Sequence, residues 1–205
     1  TLTRSSAASD VYKRQALHWE SGLTWPDCPD IDGLAEAAWR SNLNCPQTSA
    51  AGRLFDAAAA LICGVPVTSF EAQGPMLLES LCRDVAMAVE LPLAEDDNGV
   101  LRSDWQPLLE IMSQNDRGRA ARAEIFHTSI ATAILRQAEA IRERAAFDHV
   151  GLCGGVFQNR VLTEQTVGLL RAGGFSVFLP ERLPCNDAAL CFGQAAEIAA
   201  REAGD

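Results

Sequence analysis

The apolar positions after Thr48 fall into blocks with helical spacing, separated by glycine and polar turns. "TSAAGRLFDAAAALICG" opens on Thr-Ser, runs through an alanine-rich middle and stops at Gly64, which predicts a helix. A second helix is predicted over "SFEAQGPMLLESLCRDVAMA", with Gly74-Pro75 marking either its true start or a kink. Both helices are largely apolar, so both belong in a core. "LPLAEDDNGVLRS" sets an Asp-Asn-Gly turn between two short apolar pieces, a hairpin signal. Asp104 then stands where it would cap a helix through "WQPLLEIMSQ". Residues 118–146 carry the longest periodic pattern: Phe126, Ile130, Ile134, Ala138 and Ile141 form one apolar stripe, and Arg and Glu fill the opposite face.

The final third changes period. "FDHVGLC" and "FSVFLP" are short, apolar and strand-like, and the intervening "RVLTEQTVGLLRAGG" is helical with a glycine end. That order predicts a βαβ unit with a parallel strand pair. A last helix is expected through "DAALCFGQAAEIAAR". Upstream, residues 16–47 hold Trp, Pro, Asn and Asp around one short helix, "GLAEAAWRSNL". The first fifteen residues, "TLTRSSAASDVYKRQ", fit no later pattern and read as a non-native leader, a translated cloning remnant. The class is α/β and helix-rich.

Composition narrows the function classes. The chain has 205 residues, 48% of them hydrophobic, enough for one domain with a substantial core. No apolar run reaches membrane-spanning length. A formal charge of −10 without a basic stripe argues against a nucleic-acid surface. The seven cysteines form no C-x-x-C pair and have no histidine at zinc-ligand spacing, so they read as scattered buried thiols of a reducing compartment.

Several places could carry chemistry. Gly154 and Gly155 end a predicted buried strand, and Asn159 stands four residues after Gly155, at a helix entrance. Backbone N–H groups at the carboxyl end of a parallel strand point outward together, and glycines let a ligand approach them. The pair is therefore either a structural turn or the floor of a nucleotide site, with Asn159 in reach of sugar or base. In "LPCNDAALCFGQA", Asp187 is either a helix cap or a carboxylate ligand to a divalent cation near phosphates. Arg53 and Asp56 share one face of an otherwise apolar helix, as a surface ion pair or a polar patch for a ligand, and Glu79 is a parallel case. His127 interrupts the apolar stripe; a satisfied core histidine and a catalytic one are the two readings.

Five blocks, "TSAAGRLFDAAAAL", "FEAQGPMLLESL", "EIFHTSIATAIL", "GGVFQNRVL" and "LPCNDAALCFGQA", follow one another in an order that resembles the C-terminal part of the hydrogenase-maturation carbamoyltransferases, the HypF type. The likeness runs from about Asn44 to Ala200 and covers most of the chain. It implies an RNase H-like lobe of the actin-like ATPase fold, helix-rich with a small mixed sheet, the lobe being residues 16–205. It implies use of ATP and carbamoyl phosphate through carbamoyl-adenylate, and carbamoylation of the C-terminal cysteine of a partner protein of the HypE type in [NiFe]-hydrogenase maturation. By the same resemblance Gly154, Gly155 and Asn159 match the nucleotide loop, Asp187 the metal-ligating aspartate, and Asp56 and Glu79 the acidic positions that hold ribose hydroxyls. Arg53 and His127 match motif positions without an assigned role.

Departures from the pattern are visible. "NDAAL" replaces N-D-G-G, and Leu77 stands where an acid is usual. No H-x-x-x-H pair precedes the blocks, and the family's acylphosphatase-like, zinc-finger and adenylate-forming domains are missing, so the chain reads as a cytoplasmic enzyme's fragment, inactive alone. The rival readings are an O-carbamoyltransferase or another actin-like ATPase lobe acting on a small molecule, and a non-catalytic interaction module.

Overall fold

The computed structural model describes residues 3–4, 19, 33–43, 47–65 and 68–204. Most of the leader reading and of the 16–47 region lies outside them. Thr3–Arg4 (β1) pairs antiparallel with Gln47–Thr48 (β2), and a short helix, Leu34–Arg40 (α1), lies between them in sequence. Then come α2 (Ala51–Cys63), α3 (Gln73–Ser80), β3 (Leu93–Glu95), β4 (Leu101–Ser103), α4 (Gln106–Ser113) and α5 (Arg119–Arg144). The chain closes with β5 (His149–Gly151), α6 (Arg160–Ala172), β6 (Ser176–Phe178) and α7 (Leu190–Gly204). The expected small mixed sheet is divided into three two-stranded pairs among the described residues: two antiparallel, and β5–β6 parallel.

Helix α2 forms the centre because it is almost wholly apolar: Leu54, Phe55, Ala57 to Ala60 and Ile62 are all buried. Its end is a left-handed Gly64, as the sequence predicts, but its N-cap is Ala50 rather than Thr48 or Ser49. Small side chains let α3 come close: a β-carbon on Gly74 would stand 3.0 Å from Ala59 Cβ. Gly74-Pro75 does mark the start of α3, where the first turn needs no intrahelical donor.

The predicted continuation of α3 to residue 88 does not form. Beyond Ser80 the backbone turns to follow α5, which offers it side-chain acceptors: Arg83 and Asp84 N–H donate to Glu124 Oε1 and Val89 N–H donates to Ser129 Oγ. Tertiary hydrogen bonds there replace the helical ones that "LCRDVAMA" could have made. Trp105 caps α4, while Asp104, one residue earlier, accepts from Gln106 N–H at 2.9 Å.

The main core gathers Phe55, Ile62, Leu78, Leu91, Trp105, Leu108, Met112, Phe126 and Leu162, with Phe55 and Phe126 edge to face at 4.9 Å. A smaller cluster of Ala138, Leu152, Leu170 and Phe175 lies under the βαβ unit. Phe157 packs against both. The stripe of α5 is buried at Phe126 and Ala138, but Ile141 is exposed. Arg122, one turn before Phe126, is buried rather than solvated, donating to the Met112 carbonyl at 2.8 Å. Helix α7 is exposed along its length, Leu190, Phe192 and Ile198 included.

Candidate functional site

The parallel strands β5 and β6 direct their carboxyl ends toward one edge, where the chain runs into Gly154, a 3₁₀ turn over Gly155–Gln158 and then α6. Phe157 packs against both clusters and so anchors this turn to the core. Gly154 has φ 107° and ψ 151°, a conformation essentially closed to residues with a β-carbon. Its N–H donates to the Cys185 carbonyl, which ties the loop before α7 against the glycines.

The second glycine has a different status. Gly155 lies outside the left-handed region, and a β-carbon on it would meet only Asn186 Cβ, at an ordinary 3.9 Å. The protein's own packing does not demand glycine there. The N–H groups of Gly155 and Val156 find no acceptor among the described residues, and Gly155 faces solvent. Two donors without a protein acceptor, one of them on an exposed glycine, suit an anionic or strongly polar ligand.

Asn159 is the N-cap of α6. Its Oδ1 accepts from Leu162 N–H at 2.9 Å, and its Nδ2 lies 2.9 Å from His127 Nε2. The side chain is buried, so its amide is engaged by protein at both ends. Glu79, from α3, reaches the same helix entrance and accepts from Arg160 N–H at 2.8 Å and from Val161 N–H at 3.4 Å. A carboxylate there complements the positive end of α6.

Asn186, not Asp187, caps the turn before α7: its Oδ1 accepts from Ala188 N–H. Asp187 is the first residue of that turn and is exposed, next in sequence to the residue that faces Gly155. The capping reading of Asp187 is thus corrected, because the preceding Asn takes that place. Its preference for N-caps is a signal the sequence already carried. Among the described residues no three His, Cys, Asp or Glu side chains are grouped to hold a metal. Asp187 alone fits a cation only if phosphate oxygens, water or residues outside the described set complete the shell.

On α2, which packs against the 3₁₀ turn, Arg53 and Asp56 pair at 3.2 Å. The Asp56 side chain is only 10% exposed and that of Arg53 35%. His127 is wholly buried beside Phe55 and Phe126, with Nδ1 at 2.8 Å from the Ala123 carbonyl. Burial holds its pKa below the ordinary histidine value, partly opposed by that carbonyl and by the Glu79 charge. Cys82, 3.4 Å from the same nitrogen, is pushed up to about 12, by burial first and then by Glu124, Glu79 and Cys63, so it stays a thiol. Of the described cysteines Cys63, Cys82 and Cys185 are half-buried and Cys153 and Cys191 exposed, which corrects the expectation of buried thiols: Cys153 lies in the exposed glycine loop and Cys191 on solvent-facing α7. The structure therefore brings Asn159 and His127 into direct contact, sets Glu79 on the neighbouring N–H groups of the same helix entrance, leads Gly154 and Gly155 into it through the 3₁₀ turn, sets the 185–187 loop against the glycines, and places Arg53 and Asp56 on the adjoining helix.

Comparison with known proteins gives the family. Residues 6–194 match the family described as carbamoyltransferase, Kae1-like domain, second subdomain. The chain is 37% identical over 169 residues to a carbamoyltransferase HypF homologue of Cupriavidus necator, covering 78% of this chain and 42% of that one. It is 36% identical over 160 residues to the carbamoyltransferase HypF of Synechocystis, covering 77% of this chain and 20% of the relative. With the Rhodobacter capsulatus protein of the same name it shares 35% over 203 residues, covering 92% and 26%. A crystal structure of full-length HypF in a phosphate- and nucleotide-bound form superposes with a TM-score of 0.83 at 26% identity, over 92% of this chain and 31% of that one. The structure of T. kodakarensis HypF shares the fold, with a TM-score of 0.69. The chain thus spans less than half the length of these relatives. By sequence match and by fold, an α/β lobe of the actin-like type, it belongs to the HypF carbamoyltransferase family as the second subdomain of the Kae1-like domain.

Proposed function

We propose that this chain supplies the nucleotide-side wall of an ATP-dependent carbamoyltransferase. The observation that carries the reading is Gly155: it is exposed, its N–H finds no acceptor among the described residues, and a β-carbon on it would meet only Asn186, so the space there is open. A bound nucleotide is the simplest reason to keep that space, and a related full-length structure is described as phosphate- and nucleotide-bound.

In this reading Gly154 shapes the loop and the Gly155–Val156 donors meet phosphate or ribose oxygens. Asp56 and the Glu79 oxygen not spent on α6 face the ribose hydroxyls, since a carboxylate accepts from a diol. Asn159 keeps the loop in register. Asp187 is the chain's contribution to a divalent metal ion beside the phosphates, where a cation would neutralise charge. The reaction is acyl transfer: a cysteine thiolate attacks the carbamoyl carbon of carbamoyl-adenylate, a C–S bond forms, and AMP leaves with the electrons of the broken C–O bond. Holding a reactive anhydride against a thiolate is chiefly work of positioning and electrostatics.

The acceptor is the C-terminal cysteine of a HypE-type partner in [NiFe]-hydrogenase maturation, and carbamoyl phosphate is handled by other parts of the longer protein. The free thiols support a reducing cytoplasm, and no helix among the described residues is long and apolar enough to cross a membrane. Residues 16–205 form the lobe.

Calorimetric titration of Mg·ATP into the full-length protein tests the reading. Gly155→Val is expected to weaken binding at least about tenfold, an energy of ~1.4 kcal/mol, with unfolding temperature unchanged. Equal affinity in the two proteins would remove the nucleotide from this loop.

A further inference from the structure

His127 has two ring nitrogens and each has a fixed partner. Asn159 Oδ1 faces the Leu162 N–H, so the other end of the amide, Nδ2, must face His127 Nε2. An amide nitrogen only donates, which makes Nε2 the acceptor and puts the ring proton on Nδ1, toward the Ala123 carbonyl. The three hydrogen bonds are mutually consistent in this tautomer and protonation state alone. A protonated ring would set two donors, Nε2–H and Nδ2–H, against each other. Turning the amide over would relieve that clash but aim Nδ2 at Leu162 N–H and uncap α6.

We propose that neutral His127 is the positioning residue of the glycine loop, locking the Asn159 amide so that Gly155 and Val156 keep their donors aimed at the ligand. The inference rests on the nucleotide reading of this loop. His127 touches no ligand; it acts through Asn159, which both caps α6 and ends the 3₁₀ turn. Phe55 and Phe126 hold the ring edge to face at 5.4 and 5.9 Å, so it cannot swing away from the amide.

The groups facing the ring are few. Helix α2 contributes the Phe55 ring, and the turn after α3 contributes the Cys82 thiol. Helix α3 contributes the Glu79 carboxylate, whose charge favours protonation, while burial opposes it more strongly. Helix α5 offers the Ala123 carbonyl and α6 the Asn159 amide. The neutral ring therefore prevails at neutral pH, and the lock opens only as pH falls below the usual histidine range.

The test follows Mg·ATP affinity of the full-length protein against pH for wild type, His127→Gln and His127→Phe. Gln keeps an acceptor for Nδ2 but does not titrate; Phe keeps the ring packing without the acceptor. Expected at neutral pH are near-wild-type affinity for Gln, within about threefold, and a loss of about tenfold for Phe, from the stranded Asn159 donor. In acid, wild type should lose affinity more steeply than Gln, since both share the ligand's own titration. Nitrogen-15 spectra of the His127 ring should place the proton on Nδ1. Wild-type affinity in Phe, an identical pH profile in Gln, or a proton on Nε2 would each overturn the lock. Failure of wild type to bind nucleotide at all would overturn the parent reading with it, whereas binding that responds to Gly155→Val but not to His127 would overturn this inference alone.

Discussion

The carboxylate of Glu79 lies 2.8 Å from the backbone N–H of Arg160, so the first turn of α6 is closed by a side chain from 81 residues earlier. Two otherwise orphaned donors, those of Arg160 and Val161, are met by one oxygen. Glu79→Ala should cost about 1–2 kcal/mol of stability, the range for a lost N-cap acceptor. Glu79→Gln, which keeps an oxygen but loses the favourable charge, should cost less. Urea unfolding of the full chain checks the order, and an Ala variant as stable as wild type would mean the contact contributes nothing.

The two glycines of the loop should separate cleanly. Gly154→Ala forces a β-carbon into a forbidden backbone region and is expected to cost about 1–3 kcal/mol. Gly155→Ala meets only open space and Asn186, so its effect on unfolding should stay within about 0.5 kcal/mol. Equal losses at the two positions would show that packing, not a ligand, requires both.

Gly74 and Ala59 mark the closest approach of α2 and α3. Gly74→Ala should drive the helices apart at a cost of about 1–3 kcal/mol, as overpacking does. Ala59→Gly should return part of that loss in the double variant, a non-additivity that a double-mutant cycle measures. Additive losses would mean the helices are not in contact there.

Asp96 binds its own hairpin turn. The N–H of Val100, then the side chain of Arg102 and the N–H of Asn98, hold its carboxyl below the usual carboxylate value. A group with a lowered folded pKa stabilises above its unfolded pKa and loses that contribution as pH falls through the folded one. Asp96→Asn should therefore destabilise the hairpin at neutral pH, and the gap to wild type should close under acid. Amide exchange of Val100 reports it; a gap that persists at acid pH would assign the effect to shape rather than charge.

His127 adds a second acid sensitivity with the same sign. Its folded pKa is lowered by burial, so the unfolded chain binds the proton more tightly and folding stability drops as pH passes below the ordinary histidine value. His127→Gln should flatten this part of the stability profile in thermal melts across mildly acid pH, and an unchanged profile would place the titration elsewhere.

The elements whose apolar spacing is local were legible from residues alone. Helices α2 and α5, the Asp-Asn-Gly hairpin and the βαβ order all follow from side chains within a few positions of one another, where period and turn chemistry leave few choices. The glycine pair and its helix entrance were legible for the same reason. Tertiary structure decided what depends on partners far along the chain. The backbone after Ser80 leaves the helix because Glu124 and Ser129, some forty residues on, offer better acceptors. Glu79, Asn159 and His127 meet because α3, α5 and α6 pack together, and no spacing along the chain encodes a hydrogen bond between helices. Periodicity says which face is buried; only the folded chain says which polar groups are buried with it, since each must find its partner wherever the packing brings one.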